Sequence, residues 1–202
     1  MVDKQKQQSG FALLVSLIVV GAVLSIGVVI LDLSIKQVRL AATTKDSEIA
    51  FHAANAGMEC ARFWRRDQNT EMTAGIQTDL IRCFSATAED VNASGDVSGG
   101  QVSDNGTAAF SGNGDAYVYD YEFTWNDGQS CSTISSVVVV SDVGTVGVTV
   151  TNIRDLIPGY PDSTLVCGGS SRCTAVSVQG YNRPCAQKNS FGTIQREVLL
   201  EF

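Results

Sequence analysis

Residues 8–31 read QSGFALLVSLIVVGAVLSIGVVIL, and this stretch decides how the chain is organised. No charged residue lies between Ser9 and Leu31. A helix that rises about 1.5 Å per residue would carry Phe11 to Leu31 across about 31 Å, which matches the hydrocarbon core of a bilayer. The sequence therefore predicts a helix over residues 11–31 that spans a membrane or lies in an equally apolar environment.

The first ten residues form a short polar leader in front of this run. Lys4 and Lys6 outnumber Asp3, and by the positive-inside tendency the N-terminus stays cytoplasmic while the rest of the chain faces outward. A secretory signal has a shorter apolar core followed by a small-residue cleavage site, whereas DLSIKQVRL follows here. We therefore expect the apolar helix to be retained. On these residues alone, an uncleaved single-span anchor is an alternative.

The helical pattern continues beyond the apolar run, because no proline occurs before Pro158. A helix over residues 11–66 would be about 84 Å long. Residues 50–61, AFHAANAGMECA, are rich in small residues, which permit another element to approach closely. One apolar stripe is predicted at helical spacing, and most charged residues nearby face elsewhere. The stripe is Ile49, Ala53, Ala56, Cys60 and Phe63, and the charged residues are Glu48, Glu59, Arg62, Arg65 and Arg66.

The leader that ends in Gly10, the apolar helix that opens with Phe11 and its amphipathic continuation resemble the type IV pilin family, which includes the pseudopilins of type II secretion. The resemblance implies that a prepilin peptidase cuts between Gly10 and Phe11, and that Phe11 becomes the methylated N-terminus. It also implies a retained helix that packs with other pilin subunits in a filament core, on an inner-membrane assembly platform. The chain would then move from the cytoplasmic membrane to a cell-surface filament.

One residue departs from the pattern of the major pilins, which carry a glutamate at the fifth position of the mature chain. That position is Val15 here. PilX-type minor pilins and the tip pseudopilin of type II secretion also lack the acid, and PilX-type chains share a segment AFxAAxA, matched by AFHAANA at residues 50–56. Val15 avoids a costly buried carboxylate but leaves no partner for another subunit's amine. The resemblance, which covers about the first 65 residues, thus implies a minor or tip-proximal subunit.

Six cysteines follow the apolar segment, and their even number after an export-type N-terminus predicts disulfides in an oxidising compartment. They are Cys60, Cys83, Cys131, Cys167, Cys173 and Cys185. Their connectivity stays open at this point, although Cys167 and Cys173 are close enough in sequence to close a small ring. A zinc site is disfavoured, because no CxxC pair occurs and His52 is the only histidine.

Residues 67–202 are predicted to form a globular antiparallel-sheet domain against which the helix packs, so the fold class is α+β. The aromatic residues at every second position from Tyr117 to Trp125 predict a strand with one buried face, followed by a turn at residues 126–128. Other predicted elements are a short helix over 76–84, a long exposed Gly/Ser-rich loop over 85–115, a hairpin formed by 137–140 and 146–151 around Asp142–Gly144, and strands over 174–179 and 193–202.

The composition and motifs exclude several classes of function. A net charge of −7 with scattered Lys and Arg argues against nucleic acid as a partner. The single histidine, expected to be an exposed helix residue near Glu48, argues against a Ser-His-Asp triad, and no nucleotide-binding glycine motif occurs. We predict no enzymatic activity and no cofactor, with calcium on acidic loops as the weaker alternative. The calcium candidates are Asp90, Asp96, Asp104, Asn105, Asn113 and Asp115, and glycosylation sequons begin at Asn92 and Asn105.

Overall fold

The computed structural model describes residues 6–78, 82–83, 86–87, 89–90, 99–104 and 107–202. Its helices are α1 (Lys6–Asp67) and α2 (Asn69–Ala74), with short 3-10 turns at Val102–Asp104, Ile153–Asp155 and Cys185–Gln187. Its strands are β1 (Arg82–Cys83), β2 (Ala86–Thr87), β3 (Glu89–Asp90), β4 (Gly100–Gln101), β5 (Ala109–Gly112), β6 (Gly114–Trp125), β7 (Ser130–Ser141), β8 (Gly147–Thr151), β9 (Thr164–Gly168), β10 (Arg172–Tyr181) and β11 (Gln195–Glu201).

The predicted long helix is confirmed as α1, which is continuous over 62 residues. The chain divides into two compact units, Met1–Lys45 and Asp46–Phe202. In its described residues, the first unit consists of the part of α1 up to Lys45, which includes the apolar run. The second contains the last part of α1 together with the sheets, so that the predicted antiparallel domain and its covering helix form one folded unit.

Two sheets build most of the second unit, and all pairings among the described strands are antiparallel. The large sheet has the order β11-β10-β7-β6-β3, with β4 also paired to β6, and the small sheet has the order β5-β8-β9. β1 and β2 form a separate pair. The predicted turn joins β6 to β7, with positive φ at Asn126, Asp127 and Gly128. The predicted strands over 174–179 and 193–202 are confirmed as β10 and β11.

The large sheet is covered on both faces, because successive side chains of a strand point to opposite sides. Tyr119, Tyr121 and Phe123 of β6 are buried against α1 in one core with Met58 and Trp64. This confirms the prediction that the aromatic row forms a buried face of its strand, and that face lies against the helix. On the opposite side, alternate residues of β6 and β7 form a second core with the small sheet, comprising Ala116, Val118, Val137, Val139, Val148, Val150 and Leu165 among others.

The small-residue segment of α1 lies directly on the large sheet. Ala50 and Ala54 are fully buried, and a Cβ added to Gly180 of β10 would lie 2.1 Å from the Ala50 carbonyl oxygen. Ser132 donates a 2.6 Å hydrogen bond to the Ala53 carbonyl, so the strand also bonds to the helix backbone. The close approach predicted for residues 50–61 therefore occurs within the chain itself.

The predicted apolar stripe is confirmed at Ala53 and Cys60, which are buried, and is wrong at Phe63. Phe63 is 62% exposed, whereas Trp64 is only 4% exposed and packs edge-on against Tyr121. Arg65, which the pattern placed with the outward-facing charges, is also buried. The buried stripe is therefore turned by about one residue toward Trp64, because the larger indole fills the space beside the tyrosines of β6.

The predicted hairpin over 137–151 is wrong. β7 pairs on its two edges with β6 and β10, while β8 pairs with β5 and β9 in the other sheet. Since both edges of β7 are occupied, β8 has no edge of β7 to join. Asp142–Gly144 therefore lies in a connection between the two sheets and not in a hairpin turn.

Two further predictions for the middle of the chain need correction. The short helix predicted over 76–84 is absent from its described part, where Arg82–Cys83 forms β1, and a short helix lies earlier, at Asn69–Ala74. The predicted loop over 85–115 contains β2 to β5 and the beginning of β6. Its glycines serve the sheets: Gly112 and Gly114 have positive φ, and a Cβ at Gly112 would lie 2.1 Å from the Gly147 carbonyl oxygen.

All six cysteines are paired, which confirms the predicted disulfides. Cys60–Cys83 joins α1 to β1, and Cys131–Cys185 joins β7 to the turn after β10. Cys167–Cys173, the small ring expected from spacing, joins β9 of the small sheet to β10 of the large sheet. Each bridge therefore ties together elements that strand pairing does not connect.

Candidate functional site

The first candidate site is the apolar surface of α1, whose residues from Phe11 to Lys45 are all exposed. Phe11 is 72% exposed and Leu31 64%. Among the described residues, this is the one helix long and apolar enough to cross a membrane, with a mean hydropathy of 3.0 over its most apolar window. A continuous apolar surface of this size needs a cover of lipid or protein. The helix is thus suited to anchor the chain in a membrane, as predicted.

The three serines between Phe11 and Ile35 bond to their own helix. Ser16 donates to the Leu13 carbonyl at 2.9 Å, Ser25 to the Ala22 carbonyl at 2.8 Å and Ser34 to the Ile30 carbonyl at 2.9 Å. Hydroxyl groups that are satisfied in this way do not oppose burial in hydrocarbon or between helices. The apolar part of the helix is therefore compatible with an apolar environment at its serines as well.

The predicted cleavage junction lies inside α1, because the helix begins at Lys6, before Gly10. Glycine weakens a helix interior by about 0.5–1 kcal/mol relative to alanine, so the backbone at Gly10 opens at lower cost than elsewhere. Val15 lies one turn further along and is 42% exposed. The backbone thus places Phe11 and Val15 four residues apart on one helical face.

The outward face of α1 in the second unit carries aromatic and charged side chains. Phe51 and Phe63 are 51% and 62% exposed. His52 is exposed, as expected, with its Nε2 atom 3.7 Å from Glu48 Oε1. This face lies opposite the small residues that contact the sheet, so it is open to a neighbouring molecule.

A second candidate site was missed by sequence reasoning: a cavity of about 540 Å³ at the end of α1. Its lining combines arginines from α1 and β10 with polar and apolar side chains from α2, β10 and the chain end. The lining residues are Arg62, Arg65, Arg66, Asn69, Arg172, Thr174, Leu200 and Phe202, and we call this cavity the arginine pocket. The helical spacing of Arg62, Arg65 and Arg66 was visible in the sequence, but the pairing that adds Arg172 was not.

Arg65 is the buried member of the arginine pocket, with 6% exposure. Its Nε donates to Thr174 Oγ1 at 2.9 Å and its Nη1 to Asn69 Oδ1 at 2.7 Å, so both acceptors are neutral. Burial lowers the pKa of Arg65, and the nearby positive charge of Arg172 lowers this pKa further. The pocket therefore concentrates positive charge in a partly desolvated place.

One cluster of side chains bears on the prediction that the chain holds no metal. Among the described residues, one group has ligand atoms close enough to hold a metal, namely Glu122 with Cys131 and Cys185. The two cysteines are bonded to each other, and Glu122 forms a 2.7 Å ion pair with Lys188. These contacts account for the group without a metal.

The acidic calcium candidates are not brought together by the described part of the chain. The candidates Asp96 and Asn105 lie outside the described residues, as do both sequon asparagines, Asn92 and Asn105. Asp90 and Asp104 are described as backbone only, in β3 and in the 3-10 turn after β4, and Asp115 lies exposed on β6. Asn113 lies between β5 and β6, and its backbone forms hydrogen bonds with Gly147 and Asp142. The calcium alternative stays a prediction.

No protein-family model, no curated protein and no solved structure matches this chain.

Proposed function

We propose that this chain is a structural subunit, a minor pilin or pseudopilin, of a type IV pilus or type II secretion-like filament, and that a prepilin peptidase processes it. One observation carries the proposal. A single helix, α1, exposes apolar side chains on all sides over residues 11–31 and then covers a disulfide-bonded sheet domain. A filament core of like helices would bury the first part, while the domain would lie outside that core.

The chemistry at the beginning of the helix supports the same proposal. The polar leader ends in Gly10, and the apolar run starts at Phe11 without an interruption of α1. After removal of the leader, the apolar helix would begin with the new amine of Phe11. Val15 offers no carboxylate to a neighbouring amine, which favours a position where no such partner is needed. A minor or tip-proximal subunit meets this condition.

The N-terminus of the mature protein tests the proposal. Mass spectrometry of the protein from cells with an active prepilin peptidase is expected to find a chain that begins at methylated Phe11. Gly10→Leu is expected to abolish cleavage, because a bulky side chain replaces hydrogen at the cut bond. Gly21→Leu is the matched control: a Cβ there meets no other atom of the chain, so cleavage should persist.

Two results would contradict the proposal. Intact Met1 in such cells would favour the second candidate, a single-span anchored extracytoplasmic binding domain, which the arginine pocket also supports. Mass spectrometry of isolated filaments that finds this chain as the dominant species would instead refute the minor or tip position.

A further inference from the structure

The arginine pocket brings together more positive charge than its surroundings neutralise. Four of the fourteen Lys and Arg residues of this acidic chain line one cavity. Arg62 pairs with Glu59 at 3.2 Å on the exposed surface. For Arg65, Arg66 and Arg172, the described part of the chain offers no carboxylate within ion-pair distance. Three guanidinium groups therefore line one cavity without an ion pair to any described residue.

Burial of Arg65 makes the lack of an ion-pair partner costly in free energy. A buried cation is costly unless it is paired, and here only the neutral Thr174 and Asn69 side chains accept its hydrogen bonds. Arg172 adds like-charge repulsion. A bound anion would remove both penalties.

Capping of the helix end explains only part of the cluster. Arg65 and Arg66 lie in the last turn of α1, where positive charge offsets the negative end of the helix dipole. Arg172 belongs to β10 and has no such role. Its position beside Arg65 lowers stability unless something negative lies between them.

We propose that the arginine pocket binds a phosphate group. Guanidinium groups bind phosphate through paired charge-assisted hydrogen bonds, and a dianion matches several arginines better than a single carboxylate does. The volume of about 540 Å³ exceeds one phosphate and suits a small ligand. Leu200 and Phe202 give the pocket an apolar wall that would contact the rest of such a ligand. This proposal does not rest on the filament proposal.

Calorimetric titration of the full chain in a nonionic detergent tests the binding. Inorganic phosphate at constant ionic strength is expected to bind saturably to the wild type and about tenfold more weakly to Arg172→Gln. Arg66→Gln, also exposed, should weaken binding in the same direction. Arg39→Gln is the matched control, because it removes an exposed arginine that does not line the pocket.

A second probe distinguishes the source of the phosphate group. Dihexanoyl phosphatidic acid that binds at least tenfold more tightly than inorganic phosphate would indicate a lipid-like ligand that uses Leu200 and Phe202. Equal affinities would indicate a free phosphate or a small phosphoester. Either result supports the proposal if Arg172→Gln weakens the binding of the probe.

Thermal unfolding separates binding from a structural role of Arg172. Phosphate should raise the melting temperature of the wild type and have a smaller effect on Arg172→Gln. Without phosphate, Arg172→Gln should melt at the wild-type temperature or higher, because repulsion of Arg65 is relieved. Absence of saturable binding for both phosphate probes would overturn the proposal. So would equal binding by Arg172→Gln, or equally tight binding of dihexanoylglycerol, which carries the same acyl chains without a phosphate group.

Discussion

Trp64 fixes the last part of α1 to the sheet through its aromatic ring. The indole packs edge-on against Tyr121 with ring centroids 5.2 Å apart, and against Tyr119 at 6.5 Å. The preceding residue, Phe63, points outward and is 62% exposed. Two adjacent aromatic residues on one helix therefore have opposite environments, which a mutation pair can measure.

We predict that Trp64→Ala lowers the free energy of unfolding by about 3–5 kcal/mol, the usual cost of removing a large buried aromatic side chain. Phe63→Ala is the control and should change this free energy by less than about 0.5 kcal/mol, as exposed substitutions do. Chemical denaturation monitored by circular dichroism provides the measurement. If Phe63→Ala costs as much as Trp64→Ala, the assigned face of the helix is wrong.

Gly180 permits the helix backbone to touch the sheet. A Cβ at this position would lie 2.1 Å from the Ala50 carbonyl oxygen and 2.2 Å from the Ala54 nitrogen. Since both atoms belong to the backbone, the clash is relieved only by moving the helix. We expect Gly180→Ala to lower the free energy of unfolding by about 3 kcal/mol or more, at the upper end of overpacking costs.

Gly168 provides the matched control for this substitution. It also lies in a strand, but an added Cβ would meet only Ser171 Oγ, at 3.8 Å. Gly168→Ala should therefore leave the melting temperature nearly unchanged. Equal stability of the two variants would show that the helix does not approach β10 as closely as described.

At the scale of elements, the three disulfides close loops of very different length. The sequence separations are 54 for Cys131–Cys185, 23 for Cys60–Cys83 and 6 for Cys167–Cys173. A cross-link stabilises mainly by limiting the unfolded chain, so a longer loop gains more. The longest bridge should therefore contribute most, although the shortest one joins the two sheets.

We predict that replacing both cysteines of a bridge by alanine lowers the free energy of unfolding by about 4, 3 and 2 kcal/mol for the long, middle and short loops. Denaturant titration of the three double variants under oxidising conditions gives the order. The wild type under reducing conditions serves as the reference that lacks all three bridges. The largest loss for the Cys167/Cys173 variant would contradict an origin in loop closure.

Periodicity predicted the strands whose two faces carry different residue types and failed where both faces carry the same type. The aromatic alternation of β6 gave the strand and its buried side, because only one face carries large rings. In β7, Val137 to Val139 are buried on both faces and Val140 is half-buried, so the sequence of the run does not reveal its two partners. The glycines near β5 led to the prediction of a loop. Glycine is typical of flexible loops, but it is also required where two backbones approach closely, as they do here.

A candidate site could be predicted where its residues are neighbours in the sequence. The apolar helix and the Gly10–Phe11 junction need only neighbouring residues. The arginine pocket needs Arg172 beside Arg65, which are 107 positions apart, and this proximity follows from the packing of α1 on β10. Cysteine pairing needed the fold for the same reason, except in the short Cys167–Cys173 ring.

On the scale of the whole molecule, the exposed apolar surface and the buried cores lie in different parts of the chain. The apolar surface belongs to residues 11–45, and both cores belong to the part from Asp46 onward. None of residues 11–45 is buried, so their removal takes no side chain out of either core. The last part of α1, in contrast, supplies Met58, Ala61 and Trp64 to the helix-side core. Folding therefore requires the helix from about Asp46 onward.

We predict that a fragment of residues 46–202, made under oxidising conditions, is soluble without detergent and unfolds cooperatively near the melting temperature of the full chain. A fragment of residues 68–202 is the control. It lacks the helix that covers Tyr119, Tyr121 and Phe123, so these large apolar side chains become exposed and the fragment should aggregate or stay unfolded. Circular dichroism and size-exclusion chromatography of both fragments give the answer. A folded control fragment, or an unfolded 46–202 fragment, would show that the boundary between anchor and domain does not lie near Asp46.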